Sequence, residues 1–475
     1  MSGSPSSWPV VRAALRGGRR RRAASSGSTS TSTPATAPTS SGSFQIVDLF
    51  SGAGGCLKAA TQVVRGRPVA YCDIDEGSQR CLHRAMALGH LPKAPVYRDV
   101  RAYRPPKKQG AEFMVVGGSP CQDMSTFGKR EGIVEGERSS LFFELMRVAR
   151  ECNALAVFVE NVVGMRTAGL DAALRQFDED GYDVRWCAHS ASDEGAPHQR
   201  RRLYMLAVRR DALRGAMSGG GKAPRAAKKT WWQENAPPPR ILPAGQVDSR
   251  AEKEALKLCG NGVVVPAVVS AMRYLATGTH APGCRDRYKP MELLAHWKAS
   301  ERAFDGGHEL DLRHAHPPMH GVLLDGAVQA SSQPPFRPVP RGRLVYVPPT
   351  GEFPRDKHGQ PIIYNGSGRR SGHVNDLNWD ERVLTLGVVN TPRAGMGATV
   401  QVAPTHRAER DLPHQLAFLS DTDPKMRKLA IAGRARINPH FVAWMMGYER
   451  GWIMPDEDLT ETTGVQGEWA WLHEN

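Results

Sequence analysis

The sequence has no close pair of cysteines. Its eight, at 56, 72, 81, 121, 152, 187, 259 and 284, never fall in a CxxC spacing, which excludes zinc ribbons and thioredoxin-like redox motifs. No metal is expected, and reduced thiols inside a cell are the default for such usage. No run approaches the roughly 18 uninterrupted apolar residues of a membrane helix, and no secretory signal with a hydrophobic core is present. Acidic residues are missing altogether from positions 1–43, which hold six Arg and a Ser/Thr/Pro/Ala-rich run from 23 to 43. That composition buries too little apolar surface to fold. It fits a transit peptide, a basic nuclear signal or a solubilising arm. The expected location is intracellular, in the nucleus or, for a transit peptide, in a plastid or mitochondrion.

What remains is long and basic. At 475 residues the chain exceeds one ordinary domain, so two folded units plus tails are expected. Apolar residues make up 40% and charged residues 23%, enough to bury a real core. The formal charge of +15 favours a polyanionic partner, and nucleic acid is the usual one, because each phosphate neutralised by Lys or Arg releases a counterion.

From 44 to about 211 short apolar runs alternate with helical stretches. Strands are predicted at 44–50, 68–72, 95–97, 112–116, 155–159, 183–189 and 203–208, and a helix at 139–151 with apolar residues at 141, 142, 145, 146 and 148. Strands interleaved with helices give an α/β class: a doubly wound, mainly parallel seven-stranded sheet that binds ligands at its strand ends. Residues 212–250 read as a linker, 252–275 as helix, and the Pro/Gly/His/Arg-rich remainder from 278 to 475 as a loop-rich second domain. The catalytic unit is thus expected at 44–277.

Most of the motifs fall at strand ends. The first strand runs into Ser51-Gly52-Ala53-Gly54-Gly55, where glycines let a ligand approach the backbone. Asp73 ends the second strand and is placed to take both hydroxyls of a ribose; Asp99 ends the third and is placed to accept from an adenine amino group. Two acids and a glycine turn point to an adenosine ligand, with NAD and S-adenosylmethionine both open at this stage. The fourth strand delivers Gly117-Gly118-Ser119-Pro120-Cys121-Gln122, in which proline fixes the backbone before the thiol. The fifth ends at Glu160-Asn161-Val162, and Arg200, Arg201 and Arg202 open the last.

Taken together, DLFSGAGG (48–55), GGSPCQDMS (117–125), FVENV (158–162) and QRRRLYML (199–206) resemble four ordered signature motifs of the DNA (cytosine-5)-methyltransferase family. The resemblance implies a Rossmann-like, S-adenosylmethionine-dependent fold and DNA as partner, with no membrane association and a monomeric state. It implies that Cys121 is the nucleophile that adds to cytosine carbon-6, that Glu160 holds the ring edge, and that Arg202 and Arg200 contact the carbonyl oxygen. Gln122, Ser125 and Arg138 are implied around a flipped base. Phe50, Gly52, Gly54, Asp73, Ile74, Asp99, Val100, Pro120 and Leu141 are implied as donor contacts. Ile74 stands where an aromatic often stacks on adenine, and His198 where Gln is more frequent. LCGNGVVVP (258–266) resembles the family's final motif, which implies donor contacts from Asn261 and Val263. That motif usually follows the target-recognition domain, whereas here some 200 residues lie beyond it. The order is read as rearranged, with recognition appended at 278–475. Asn390 to Arg393 and the segment 441–452 resemble recognition-region pieces, and Thr391, Arg393, Arg407 and Arg410 are plausible DNA contacts. A transfer-RNA cytosine methyltransferase and an inactive DNA-binding homologue are the alternatives. A NAD-dependent oxidoreductase is discarded, because it has no use for the Pro-Cys-Gln and Glu-Asn-Val pair.

Overall fold

The computed structural model describes residues 42–107, 109–119, 140–215, 229–246, 249–279, 287–304, 310, 317–331, 362–364, 370–373, 392, 412–417 and 422–454. Seven strands form where the apolar runs lie: β1 (Phe44–Leu49), β2 (Gly66–Cys72), β3 (Val96–Tyr97), β4 (Phe113–Gly117), β5 (Ala156–Val162), β6 (Tyr182–Ser190) and β7 (Arg201–Arg209). They lie side by side in the order β6-β7-β5-β4-β1-β2-β3. β7 runs antiparallel to β5 and β6, and the other pairings are parallel. The chain reverses its winding between β1 and β4, and a crevice at the carboxyl ends of the strands follows from that switch.

Both faces of the sheet are covered, so its strands are apolar on both sides. Along β1, Phe44 and Ile46 join one core and Val47 and Leu49 the other, the period-two alternation of a strand. The first core is filled by the helices Gly55–Val63 and Val265–Thr277; the second by Ser140–Glu151 and Leu170–Glu179. Each Val or Leu fully buried there contributes about 1.5–3 kcal/mol.

The sheet exceeds the seven strands expected. Beyond β8 (Ile241–Pro243), β9 (Gly321–Leu324) and β10 (Ala327–Ala330) extend it to nine, with β9 antiparallel to β6. Asp325 and Gly326 both have positive φ, 44° and 81°, the backbone of a tight two-residue hairpin turn in which Asp-Gly is favoured. These strands come from the part expected to form a separate domain. The helix Pro290–Ala299 also belongs to the main core, held by Arg185 of β6. That guanidinium is fully buried and donates to the Leu275 carbonyl (3.2 Å), the Trp297 carbonyl (2.9 Å) and the Ser300 hydroxyl (2.8 Å). It lies 3.9 Å from the Trp297 ring centroid, and burial pushes its pKa down to about 9. A cation at the carboxyl ends of two helices complements their dipoles.

Two boundaries are thereby corrected. The expected linker 212–250 is partly built into the fold: Trp232 is buried, and β8 pairs with the strand Ala435–Ile437. Of the expected second domain at 278–475, the segments 290–304, 317–331 and 439–454 pack into the core around the sheet, while Ile362–Tyr364 and Arg370–His373 form a two-stranded sheet of their own. The expected helix 252–275 is two, Ser249–Asn261 and Val265–Thr277, broken at Gly262 where Pro266 opens the second. The span from Ser249 to Thr277 is apolar enough to cross a membrane by length and composition, yet 72% of its most apolar window is buried in protein. It is a core element.

Candidate active site

The turn after β1 is left-handed at three alternate positions: Phe50 (φ 54°), Gly52 (φ 53°) and Gly54 (φ 80°). A side chain added at Gly52 would point into open space, with no atom within 4 Å. The turn is fastened to the end of β2. Gly52 N donates to Asp73 Oδ2 (2.7 Å), and the Ser51 hydroxyl accepts from Cys72 N (3.0 Å) and contacts the Asp48 carbonyl (2.8 Å). Asp73 Oδ1 accepts from Asp75 N (2.9 Å). Burial raises the Asp73 carboxyl, and the N–H groups of Gly52 and Asp75 oppose that rise. Beside it, the large apolar side chain of Ile74 is 63% exposed among the described residues. Asp99 follows β3, its Oδ1 accepting from Arg101 N (2.9 Å), while Val100 is buried and Leu141 half-buried against the second core. An open glycine cradle, a fastened carboxylate and an exposed apolar side chain fit an adenosine-type donor.

On the other side of the switch, Glu160 ends β5 beside the backbone of Gly118, where a Cβ would lie 3.0 Å from Glu160 Oε2. Arg202 Nε lies 3.2 Å from Glu160 Oε1. Burial raises the Glu160 carboxyl, opposed by Arg202 and then Arg200. Desolvation and the two guanidinium groups thus act on this carboxyl in opposite directions. The chain that leaves β4 through Gly118 and Ser119 leads to Pro120 and Cys121. Pro120, Cys121, Gln122, Ser125 and Arg138 lie outside the described residues, as do Thr391, Arg393, Arg407 and Arg410.

Arg200 departs from its expected role. Only 4% exposed, with φ of 32°, it directs its guanidinium to the carbonyls of Gly260 (3.0 Å) and Gly262 and, at 3.2 Å, of Pro392. It is a buried clamp that fixes the turn carrying Asn261, and burial lowers its pKa to about 10. Asn261 itself is exposed at the end of its helix. Val263 packs on the glycine turn so closely that a Cβ at Gly55 would sit 2.6 Å from Val263 Cγ2. Asp73, the glycine turn, Asn261, Arg200, Arg202 and Glu160 thus form a continuous arc over the strand ends. His198, fully buried, contacts the Met445 carbonyl through Nε2 (2.9 Å).

Reading the sequence missed Tyr448 and Trp452 as parts of this arc, having grouped them with recognition. Trp452 Nε1 donates to the Ala53 carbonyl inside the glycine turn (2.8 Å). The spacing Gly447-Tyr448 and Gly451-Trp452, with both glycines left-handed, was the available signal. Among the described residues no group of three or more His, Cys, Asp or Glu could hold a metal ion.

A family profile described as C-5 cytosine-specific DNA methylase matches residues 44–237. Among curated proteins the chain is 29% identical over 255 residues to the type II methyltransferase M.CviJI of Paramecium bursaria Chlorella virus IL3A, covering 53% of this chain and 65% of that one. It is 31% identical over 180 residues to M.HpaII of Haemophilus parainfluenzae, covering 36% and 48%. To M.HhaI of Haemophilus parahaemolyticus it is 28% identical over 171 residues, covering 35% and 50%. The chain therefore spans between 48% and 65% of the length of these relatives. That match takes in Gly52, Asp73, Glu160 and Arg202, and over residues 44–237 the chain is similar to C-5 cytosine-specific DNA methylases.

Proposed function

We propose that this protein methylates carbon-5 of cytosine in DNA, with S-adenosylmethionine as donor and Cys121 as nucleophile. The observation that carries the reading is the Glu160–Arg202 pair, 3.2 Å apart, beside the strand exit that leads to Cys121. Bound donor supplies an electrophilic methyl group. Asp73 and Asp99 hold its adenosine, the glycine turn accommodates its chain, and Asn261 and Val263 close one side.

The protein's own groups do the rest. The Cys121 thiolate adds to carbon-6, forming a C–S bond as the 5,6 double bond opens and its electrons move to carbon-5. Glu160, raised by burial, hydrogen-bonds N3 and supplies the proton that neutralises the ring. Arg202 stabilises charge on the carbonyl oxygen. After methyl transfer a base removes the carbon-5 proton, the C–S bond breaks to return the thiolate, and the N3 proton goes back to Glu160. The cytosine has to leave the base stack to reach these groups.

The test is transfer of label from S-adenosylmethionine to cytosine in DNA, abolished by Cys121→Ala. DNA carrying 5-fluorocytosine should trap a covalent adduct, because fluorine cannot leave as a proton. Label appearing in transfer RNA and in no form of DNA would overturn the substrate; methylation without a trapped adduct would overturn the role of Cys121.

A further inference from the structure

The segment following the helix Pro439–Met445 makes contacts that a recognition element has no need of. Trp452, 1% exposed, reaches Ala53 across 399 residues of sequence. Its ring stacks on His90 (5.6 Å, 6° between planes), and the Lys58 ammonium lies 5.2 Å from its centroid. Glu449 bridges the same two partners, 3.3 Å from Lys58 Nζ and 2.9 Å from His90 Nδ1. Arg84 donates to the carbonyls of Trp452 (3.4 Å) and Ile453. Lys58 belongs to the helix after β1, Arg84 to the helix after β2. The segment therefore ties together the two helices that begin at the glycine turn and just after Asp73.

Tyr448 adds a spacer. A Cβ at Gly55 would lie 2.9 Å from its hydroxyl oxygen and a Cβ at Gly262 2.8 Å from it. One ring thus separates the glycine turn from the asparagine turn, and both positions have to be glycine to admit it. The ring is 2% exposed, and its hydroxyl has no hydrogen-bond partner among the described residues, so shape and not polarity holds it. Gly447 packs on Pro266, where a Cβ would lie 2.5 Å from Cδ, and the Met446 carbonyl accepts from Val265 N (3.3 Å). Every one of these contacts falls on a motif that donor binding uses.

We infer that residues 445–454 are the outer wall of the donor site, with Trp452 and Tyr448 as positioning residues that set the glycine turn and its distance from Asn261. Donor affinity in this rearranged chain depends on a segment that follows the asparagine motif. This rests on the donor reading given above.

The experiment is calorimetric titration of S-adenosylmethionine and of S-adenosylhomocysteine into the full chain and into Trp452→Phe and Tyr448→Leu, with melting of each protein alone. Trp452→Phe keeps a ring and loses the bond to Ala53. Its donor affinity is expected to fall about five- to tenfold, the equivalent of one hydrogen bond, and the donor KM to rise more than kcat falls. Tyr448→Leu should weaken donor binding further. If the full chain binds neither ligand, the donor reading fails and the wall with it. If the full chain binds and Trp452→Phe binds equally while melting lower, the segment is only structural and the inference is overturned. A change in DNA affinity with unchanged donor affinity also overturns it, returning the segment to recognition. Should Tyr448→Leu not fold, Trp452→Phe alone decides.

Discussion

Arg200 and Arg202 are two residues apart, and the structure gives them opposite jobs. Replacing each in turn by methionine separates these. Arg200 donates to two carbonyls flanking Asn261 and to that of Pro392 while 4% exposed. A hydrogen bond to a charged group contributes about 1.5–3 kcal/mol, and a buried carbonyl left without a donor costs about 1–3 kcal/mol. Against this, burial disfavours the cation enough to bring its pKa to about 10, so removing the charge returns part of the loss. The net expected for Arg200→Met is a destabilisation of about 2–4 kcal/mol, read as a drop of roughly 5–10 °C in Tm. Donor affinity should fall with it, because the Asn261 turn loses its clamp. Arg202 is 20% exposed and paired with Glu160. Arg202→Met should change stability less than Arg200→Met, because Glu160 can take up a proton when its partner is lost, and lower kcat by about 10²–10³-fold, as for loss of one preorganised group at developing charge. Differential scanning fluorimetry without substrate, beside steady-state methylation, reads both quantities. An Arg200→Met protein with unchanged Tm and a kcat loss equal to that of Arg202→Met would refute the division.

Three further perturbations test neighbouring parts. Glu160→Gln keeps the shape and removes the proton, so melting should be unchanged while kcat falls by about 10²–10⁴-fold; a wild-type rate would remove Glu160 from the mechanism. Asp48 is fully buried. Burial holds its carboxyl well above the usual range, with Ser51 opposing and Asp73 adding to the rise. A folded value raised in this way means the stability of the protonated form is full below the unfolded value of about 3.9 and is lost as pH rises toward the folded value. Asp48→Asn does not titrate, so its advantage over the parent should grow as pH rises from about pH 4 upward. A difference flat with pH in urea unfolding would contradict the burial argument. At Gly117, an added Cβ would run into the Leu49 carbonyl of the adjoining strand, which is backbone and cannot turn away. Gly117→Ala should cost at least about 1–3 kcal/mol of stability, and a melting temperature equal to the parent's would show that the two strands have room to part.

Much of the site was legible because it is local. A glycine turn, an acid at a strand end and a Glu-Asn-Val strand terminus each lie within a few residues, and the apolar run of β1 reflects burial on both faces. Phe50, Gly52, Asp73, Glu160 and Arg202 are accordingly where the strands were expected to deliver them. Arg200 was misread because its type fits either a substrate contact or a clamp, and only the carbonyls of Gly260 and Gly262, brought to it from another element, distinguish the two.

The amino-acid sequence by itself determined the α/β class, the strand sequence and the family resemblance, since periodicity and motif order are properties of the chain read in one direction. Tertiary structure alone decided how far the domain extends. β9 pairs with the sheet edge at β6, Arg185 ties in a helix beyond the asparagine motif, and Trp452 closes on Ala53. Those contacts join residues more than a hundred positions apart, for which local propensity and spacing carry no information. They form because an open strand edge, a buried cation and an unpaired carbonyl each require a partner, and the folded chain supplies it from segments that read, in one dimension, as a separate domain.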